Sequence, residues 1–257
     1  MVPRWAVATM LLFGGMFVIA YGVPALERRG VPGIVLAGPI LLVLAAVSLS
    51  AVLRGFPPRG RRRTLTRFAA ERGLRMRIRP RLPGSMSRLP TFADPRLLAR
   101  DTWHLIVVPD DPAILSFDRR VSSEDPYEPP MWLASAACTV PLDAPAVIVE
   151  PRPALTADPF GPLIVWTSES EGFARRFRIR TDDRLFATTF LDQRMLAWML
   201  DQDPGWTFEV GGRWAMVSRP ILPEGLSAAA AIEILRGFRA TIPSVAVATH
   251  PAPPSPI

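Results

Sequence analysis

Lysine and asparagine are absent from this chain of 257 residues, which holds one cysteine and two histidines. Each shortage closes off chemistry. Without lysine there is no Ser–Lys dyad, and without asparagine no N-glycosylation acceptor. Cys138, with no second thiol, forms no internal disulfide and no CxxC metal or redox pair. His104 and His250 with one cysteine fall short of a zinc ligand set, and no HExxH spacing occurs. No serine stands in a G-x-S-x-G elbow, and no internal repeat is present. The sequence thus offers no catalytic, metal or cofactor motif. Lysine and asparagine also have AT-rich codons, while Ala, Pro and Arg are abundant, the pattern of a high-GC bacterial genome. All 30 basic residues are therefore arginine. The resulting pI of about 11.1 is not by itself a sign of nucleic-acid binding.

Long apolar runs are what the chain has in plenty. Trp5–Val23 and Val31–Leu53 carry no charged side chain. As helices they would reach about 28 Å and 34 Å, enough to cross a hydrocarbon core of about 30 Å. Buried helices of a water-soluble core are seldom apolar on every face for five turns. The expectation is a transmembrane helical hairpin over residues 1–53, with spans at 5–23 and 31–53. Trp5 and Tyr21 fall near the ends of the first span, where amphipathic aromatics favour the interface. Pro39 is placed to kink the second. A cleaved signal peptide fits less well, because the first run is long, only Arg4 precedes it, and no A-x-A site follows.

Charge is divided along the chain. Residues 54–100 hold 14 arginines against Glu71 and Asp94, whereas the remainder is net acidic. The flank after the second run, with Arg54, Arg59, Arg61, Arg62, Arg63 and Arg67, outweighs Arg28 and Arg29 in the connecting loop. The positive-inside bias then places both termini in the cytoplasm and the protein in the cytoplasmic membrane. Those six arginines are the candidate membrane-surface residues, each attracted to anionic headgroups by about 1 kcal/mol. The plainer alternative is a topology signal with no further role.

Past the spans the pattern predicts one mainly antiparallel α+β soluble domain over 101–245. A basic juxtamembrane segment and connector (54–100) precede it, and a disordered Pro-rich tail (246–257) follows. Thr64–Gly73 reads as a helix and Arg75–Arg79 as a strand; residues 80–100, with Pro80, Pro83 and Pro90, read as an extended connector. Trp103–Val108 and Ala113–Phe117 make a hairpin about Pro109–Pro112. Trp132–Val140 and Ala146–Glu150 read as two strands parted by Pro141 and Pro145, and Leu163–Thr167 as a third. Arg176–Arg180 alternates as an edge or surface strand, with Phe177 and Ile179 inward and the arginines outward. Asp182 or Asp183 caps a helix running to Gln202, with a possible split at Asp192–Arg194. Gly211-Gly212 suits a hairpin turn between Trp206–Val210 and Arg213–Val217. Leu226–Ala240 closes the domain as a helix.

Few residues invite a chemical role, and each has a plainer reading. Pro-Asp-Asp-Pro at 109–112 is turn chemistry before it is a cation site. Gly211-Gly212 has no following helix to receive phosphate. Phe173–Arg180 interleaves aromatics with arginines, as a single-strand nucleic-acid groove would. The surrounding acidity favours an amphipathic strand, so nucleic acid is not an expected partner. An enzyme would have to assemble its site from dispersed groups such as His104, Asp110 and Glu169.

Glu169, Ser170, Phe173, Phe177 and Ile179 resemble the pattern E-S-x-x-F-N-x-x-F-x-V. Asp182 or Asp183, Ala187, Leu191, Met195 and Trp198 follow as they do there. The pattern is similar to that of uncharacterised bacterial membrane proteins with two N-terminal spans and a domain of unknown function. Ala174 stands where that pattern has Asn. The resemblance implies the same two-span architecture and no particular activity. Its residues read as packing, with Phe173 and Phe177 toward the core and Trp198 closing a helix over the sheet.

Together these features predict a membrane-anchored, non-catalytic protein without cofactor. Its domain would bind an unidentified protein partner or the anionic surface of the lipid bilayer. The alternatives are an accessory subunit of a transporter or envelope complex and a membrane-bound enzyme with a dispersed site.

Overall fold

Alternating apolar residues and N-capping side chains build most of the elements seen. The computed structural model describes residues 60–93, 102–121, 131–152, 163–221 and 228–253. The two apolar runs, Arg54, Arg59 and the tip of the C-terminus lie outside them. Among the described residues no helix is long and apolar enough to cross a membrane. The chain opens with α1 (Arg61–Glu71), β1 (Met76–Arg77), a 3-10 turn at Gly84–Arg88 and α2 (Pro90–Ala93). The strands β2 (Thr102–Val108), β3 (Ile114–Val121), β4 (Met131–Pro151) and β5 (Ile164–Trp166) follow. After α3 (Glu171–Arg176) come β6 (Phe177–Thr181), α4 (Arg184–Phe190), α5 (Gln193–Asp201) and β7 (Thr207–Pro220). The helices α6 (Ala228–Thr241) and α7 (Ser244–Thr249) end the order.

The result is a mixed α+β fold on one antiparallel sheet of order β1-β2-β3-β4-β6-β5, with β7 on β4. The mainly antiparallel α+β expectation is what the structure shows. Side-chain caps fix three helix starts. Ser170 accepts from the Phe173 N–H, Asp183 from Phe186 and Asp192 from Met195, each satisfying a donor the helix cannot. The cap of α4 is thus Asp183, and the split at Asp192 separates α4 from α5.

Two strands expected as four are the main correction. Residues 131–151 form one strand that runs through Pro141 and Pro145, and 207–220 form one strand that runs through Gly211-Gly212. The interruptions face each other. Thr139 pairs with Trp214, but the next pair is Ala144 with Gly212, then Val147 with Val210. Prolines, which cannot donate to a ladder, and flexible glycines are accommodated in these bulges. The slip between Ala144 and Val147 exchanges the faces of β4. Cys138, Val140 and Ala144 face the main core on one side of the slip, and Val147 and Val149 face it on the other. In β7 the change runs from Phe208 and Val210 to Ala215 and Val217.

That main core lies between the sheet and α3 to α7, and is rich in aromatics. Phe173 stacks on Phe177 at 4.8 Å, and Phe238 of α6 meets Phe190, Phe208 and Trp198. A Cβ at Gly237 would lie 2.6 Å from the Trp198 ring, so the indole can reach α6 only over glycine. A smaller cluster joins Leu65 and Ala69 of α1 to Ile106 and Ala228.

The opposite face is covered by residues 84–93, expected as an extended connector and here two helical turns. Met86 and Leu89 are buried against Leu105, Phe117, Ala137, Trp214 and Met216. The sheet bends over them. Arg119 neighbours Leu133, which pairs with Pro220, about 36 Å of flat strand from Glu209. Yet both Arg119 and Glu209 hydrogen-bond Thr91 of α2.

The segment after 245 is a further correction to the expected tail. Residues 244–249 form α7, His250 O accepts from Asp143 N at 2.9 Å, and Pro251 bridges Leu142. Unpaired backbone in the β4 bulge explains why this segment is ordered: it supplies the missing partners.

Candidate functional site

Helix α1 displays the arginines singled out from the sequence. Positions 61, 65 and 69 recur at helical spacing and turn inward, so Arg61 is buried beside Leu65 and Ala69. Arg62, Arg63 and Arg67 are on the exposed side, together with Thr66. The membrane-surface role expected of Arg61 is thereby corrected. Its Nη2 lies 2.8 Å and its Nε 3.1 Å from the Asp118 carboxylate on β3. His104 Nδ1 reaches the same carboxylate at 2.9 Å. Arg61, Asp118 and His104 are 5%, 1% and 2% exposed. An arginine counted toward a solvated block is thus the ionic pin that holds the helix on the sheet.

Exposed basic residues continue beyond α1 at Arg72, Arg75, Arg77, Arg79 and Arg81. Their alternation with Leu74, Met76 and Ile78 was visible in the sequence, though the six site candidates did not include them. Arg72 and Arg79 lie over the Phe68 and Trp103 rings at 4.2 and 4.5 Å, which holds each near the domain. Glu71 is the one acid among described residues 60–93. The surface is accordingly a strongly positive one, built on a rigid helix and the strand edge beside it.

The family-like motif residues serve packing and capping. Phe173 and Phe177 are buried and stacked, Ser170 caps α3, and Trp198 stacks on Phe238 with 17° between the rings. Asp182 is exposed, its N–H on Ala146 O, and Glu169 is exposed in the turn before α3. The dispersed enzyme residues do not meet. His104 is bound to Asp118, Asp110 to Arg236 at 2.9 Å, and Glu169 is exposed. Among the described residues no group of three potential metal ligands occurs.

Beneath α2 lies a buried polar centre that sequence reasoning missed. Glu209 Oε2 accepts from the Thr91 hydroxyl at 2.7 Å and from its N–H at 3.1 Å. Glu209 Oε1 has no hydrogen-bond partner among the described residues. Burial pushes the Glu209 carboxyl above its ordinary range, against the pull of Arg119 and Thr91. Glu150 is pushed the same way by burial, against Arg180 and Arg178. Arg180 of β6, expected to point outward, is 0% exposed with its Nε 3.1 Å from Glu150. Position 180 does lie away from the main core, but that face is the covered concave one. The strand itself is paired on both sides, by β4 and β5.

A raised carboxyl means that the folded chain binds the proton more tightly than the unfolded one. The Glu209 contribution to stability is present below the unfolded value and declines as pH rises through the folded one. The stability of Glu209→Gln relative to the native chain is therefore expected to rise from about pH 4 to pH 7. Urea denaturation at several pH values measures it, and a difference that stays flat or falls would contradict the assignment.

The fold and this surface define a class: an α+β domain with a bent antiparallel sheet, a helix-covered core and a basic helix beside its first strands. Neither a protein-family model nor a curated protein matches the sequence. Among solved structures, it is similar to the crystal structure of the mycobacterial trehalose monomycolate transport factor A, TtfA. The identity is 12% and the TM-score 0.52, over 77% of this chain and 99% of that one. At that identity the likeness is one of fold.

Proposed function

We propose that this chain is a non-catalytic, membrane-anchored protein whose basic helix rests on an anionic lipid surface. The apolar runs 5–23 and 31–53 form the hairpin anchor in the cytoplasmic membrane, with both termini on the cytoplasmic side. The two-span family resembled by Glu169–Trp198 has the same layout. One observation carries the reading: α1 turns Arg62, Arg63 and Arg67 outward while the buried Arg61–Asp118 pair fixes its other side. Three guanidinium groups on a pinned helix lose little freedom on meeting phosphate headgroups, and each adds about 1 kcal/mol. Partners on this reading are the bilayer and its anionic headgroups, without nucleic acid.

The full chain in nanodiscs, spin-labelled at Thr66→Cys, tests it. Cys138 is buried and its thiol is pushed up to about 11 by burial, which directs the label to position 66. The label should become immobilised in anionic but not zwitterionic lipid. Arg63→Ala with Arg67→Ala should shift the docked population by about 2 kcal/mol, roughly thirtyfold. Equal mobility in both lipids would sink the reading.

A second reading is favoured by the likeness to a transport factor: an accessory subunit of a transporter or envelope complex, held by an unidentified protein. Affinity purification of the full chain from gently solubilised membranes should then return polytopic partners. Recovery of the chain without them would count against it.

A further inference from the structure

The sheet order begins at β1, whose one strand partner among the described residues is β2. Met76 stands opposite Ile106 and Arg77 opposite Leu105, and the His104 N–H donates to Ile78 O at 3.0 Å. In an antiparallel ladder the backbone turns toward its partner at every second residue. Ile78 is turned toward β2, so Arg77, one position earlier, directs its N–H and C=O away from the sheet. Side chains alternate too. Met76 packs with Ile106 on the α1 side, and Ile78, two positions on, is 40% exposed. Arg75, Arg77 and Arg79 recur at the same period between them, all exposed. Glu71 lies 3.8 Å from Arg72, and among the described residues no carboxylate pairs with Arg75 or Arg77.

We propose that the outer edge of β1 takes an added strand from a protein partner, an extended segment in which Asp or Glu alternates with apolar residues. Unpaired backbone groups on an edge are a template for another chain. Added strands gain affinity from main-chain hydrogen bonds and selectivity from alternate side chains. Charge decides the occupant here. A second copy of β1 would set arginine against arginine, and like charges directly opposed are unfavourable. Carboxylates at every second position instead meet Arg75, Arg77 and Arg79, and the apolar residues between them meet Met76 and Ile78. The central acid, opposite Arg77, exchanges both backbone hydrogen bonds with it. Arg79 is already steadied over the Trp103 ring at 4.5 Å, so this end of the edge is ordered before the partner arrives. Pro80 follows and limits the added strand to a short one. The proposal does not depend on lipid docking by α1. It gives the accessory-subunit reading a contact surface, and that reading's own test, recovery of polytopic partners, succeeds or fails separately.

Fluorescence anisotropy of a labelled peptide, acetyl-Glu-Val-Glu-Val-Glu-amide, titrated with the full chain in zwitterionic nanodiscs, tests the proposal. Three comparisons separate strand addition from attraction of charge alone. A peptide of the same composition with its three glutamates adjacent keeps the charge and loses the alternation. A peptide N-methylated at each glutamate keeps the side chains and loses the backbone donors, and should bind about tenfold more weakly. Arg77→Glu, an exposed edge substitution, turns a favourable cross-strand pair into a repulsive one and should also weaken binding about tenfold. Saturation by the alternating peptide with all three comparisons weaker supports the proposal. It is overturned if that peptide does not saturate below about 1 mM. Equal binding of the regrouped or the N-methylated peptide, or of the native peptide by Arg77→Glu, overturns it as well.

Discussion

Asp118→Ala is expected to cost the fold about 3–5 kcal/mol, the usual loss when one partner of a buried ion pair is removed. The carboxylate receives Arg61 through two nitrogens and His104 through a third, with all three groups nearly sealed from water. Its removal takes a charged acceptor from a buried guanidinium and from His104 alike. Total stability for such a domain is about 5–15 kcal/mol, so the variant should unfold at far lower urea. The double variant Arg61→Met with Asp118→Leu separates charge from packing. Replacing both ions by apolar groups of similar volume should recover most of the loss. If Asp118→Ala denatures with the native chain, the pin is not holding α1. If the double variant is as weak as the single one, packing rather than charge is at stake. On the membrane-docking reading, Asp118→Ala should also reduce lipid-dependent immobilisation at position 66, although the residue never meets lipid.

Gly211→Ala is expected to cost about 3 kcal/mol or more, at the upper end for overpacking. A Cβ at Gly211 would lie within van der Waals contact of the Arg88 carbonyl oxygen, 2.8 Å from its carbon and 3.1 Å from Leu89 Cα. All three atoms are backbone, so no rotamer change relieves the clash. Either the 84–93 turns or the β7 bulge must move, and Leu89 and Met86 leave their cluster with them. Gly172→Ala is the control. Nothing lies within 4 Å of a Cβ there, and alanine favours a helix by about 1 kcal/mol. Equal melting of the two variants would remove the claim that β7 and residues 84–93 touch through backbone.

The same glycine pair shows where sequence reasoning stops. Gly-Gly between two apolar stretches signals a turn, and paired prolines signal a break; both signals are local and both were present. What converts them into bulges is that 139–147 and 210–214 lie side by side, a long-range fact. Helix starts were legible because their cause is local: Ser170, Asp183 and Asp192 each bond a donor three residues on. Burial of Arg61 and Arg180 was not legible. Their carboxylates lie 57 and 30 residues away in the chain, and an arginine alone reads as solvated. Residues 80–93 misled through their prolines, which here punctuate short helical turns instead of extended chain. Of the candidate surface, Arg62, Arg63 and Arg67 could be named from sequence, whereas the buried pin could not.

The long pairing of β4 with β7 and the stitch at Leu142–Pro251 also govern the order of assembly. During synthesis α1 emerges early, but its apolar side needs Ala228, and the β4 bulge needs residues 250–252. The first is missing until residue 228 has been made, and the second until residues past 250 have followed. With contacts this distant in sequence, closing the fold is slow compared with helix formation. For that interval the arginine-bearing helix is exposed without its sheet, and a nascent chain stalled before residue 228 would carry the basic side chains but not the platform that aligns them.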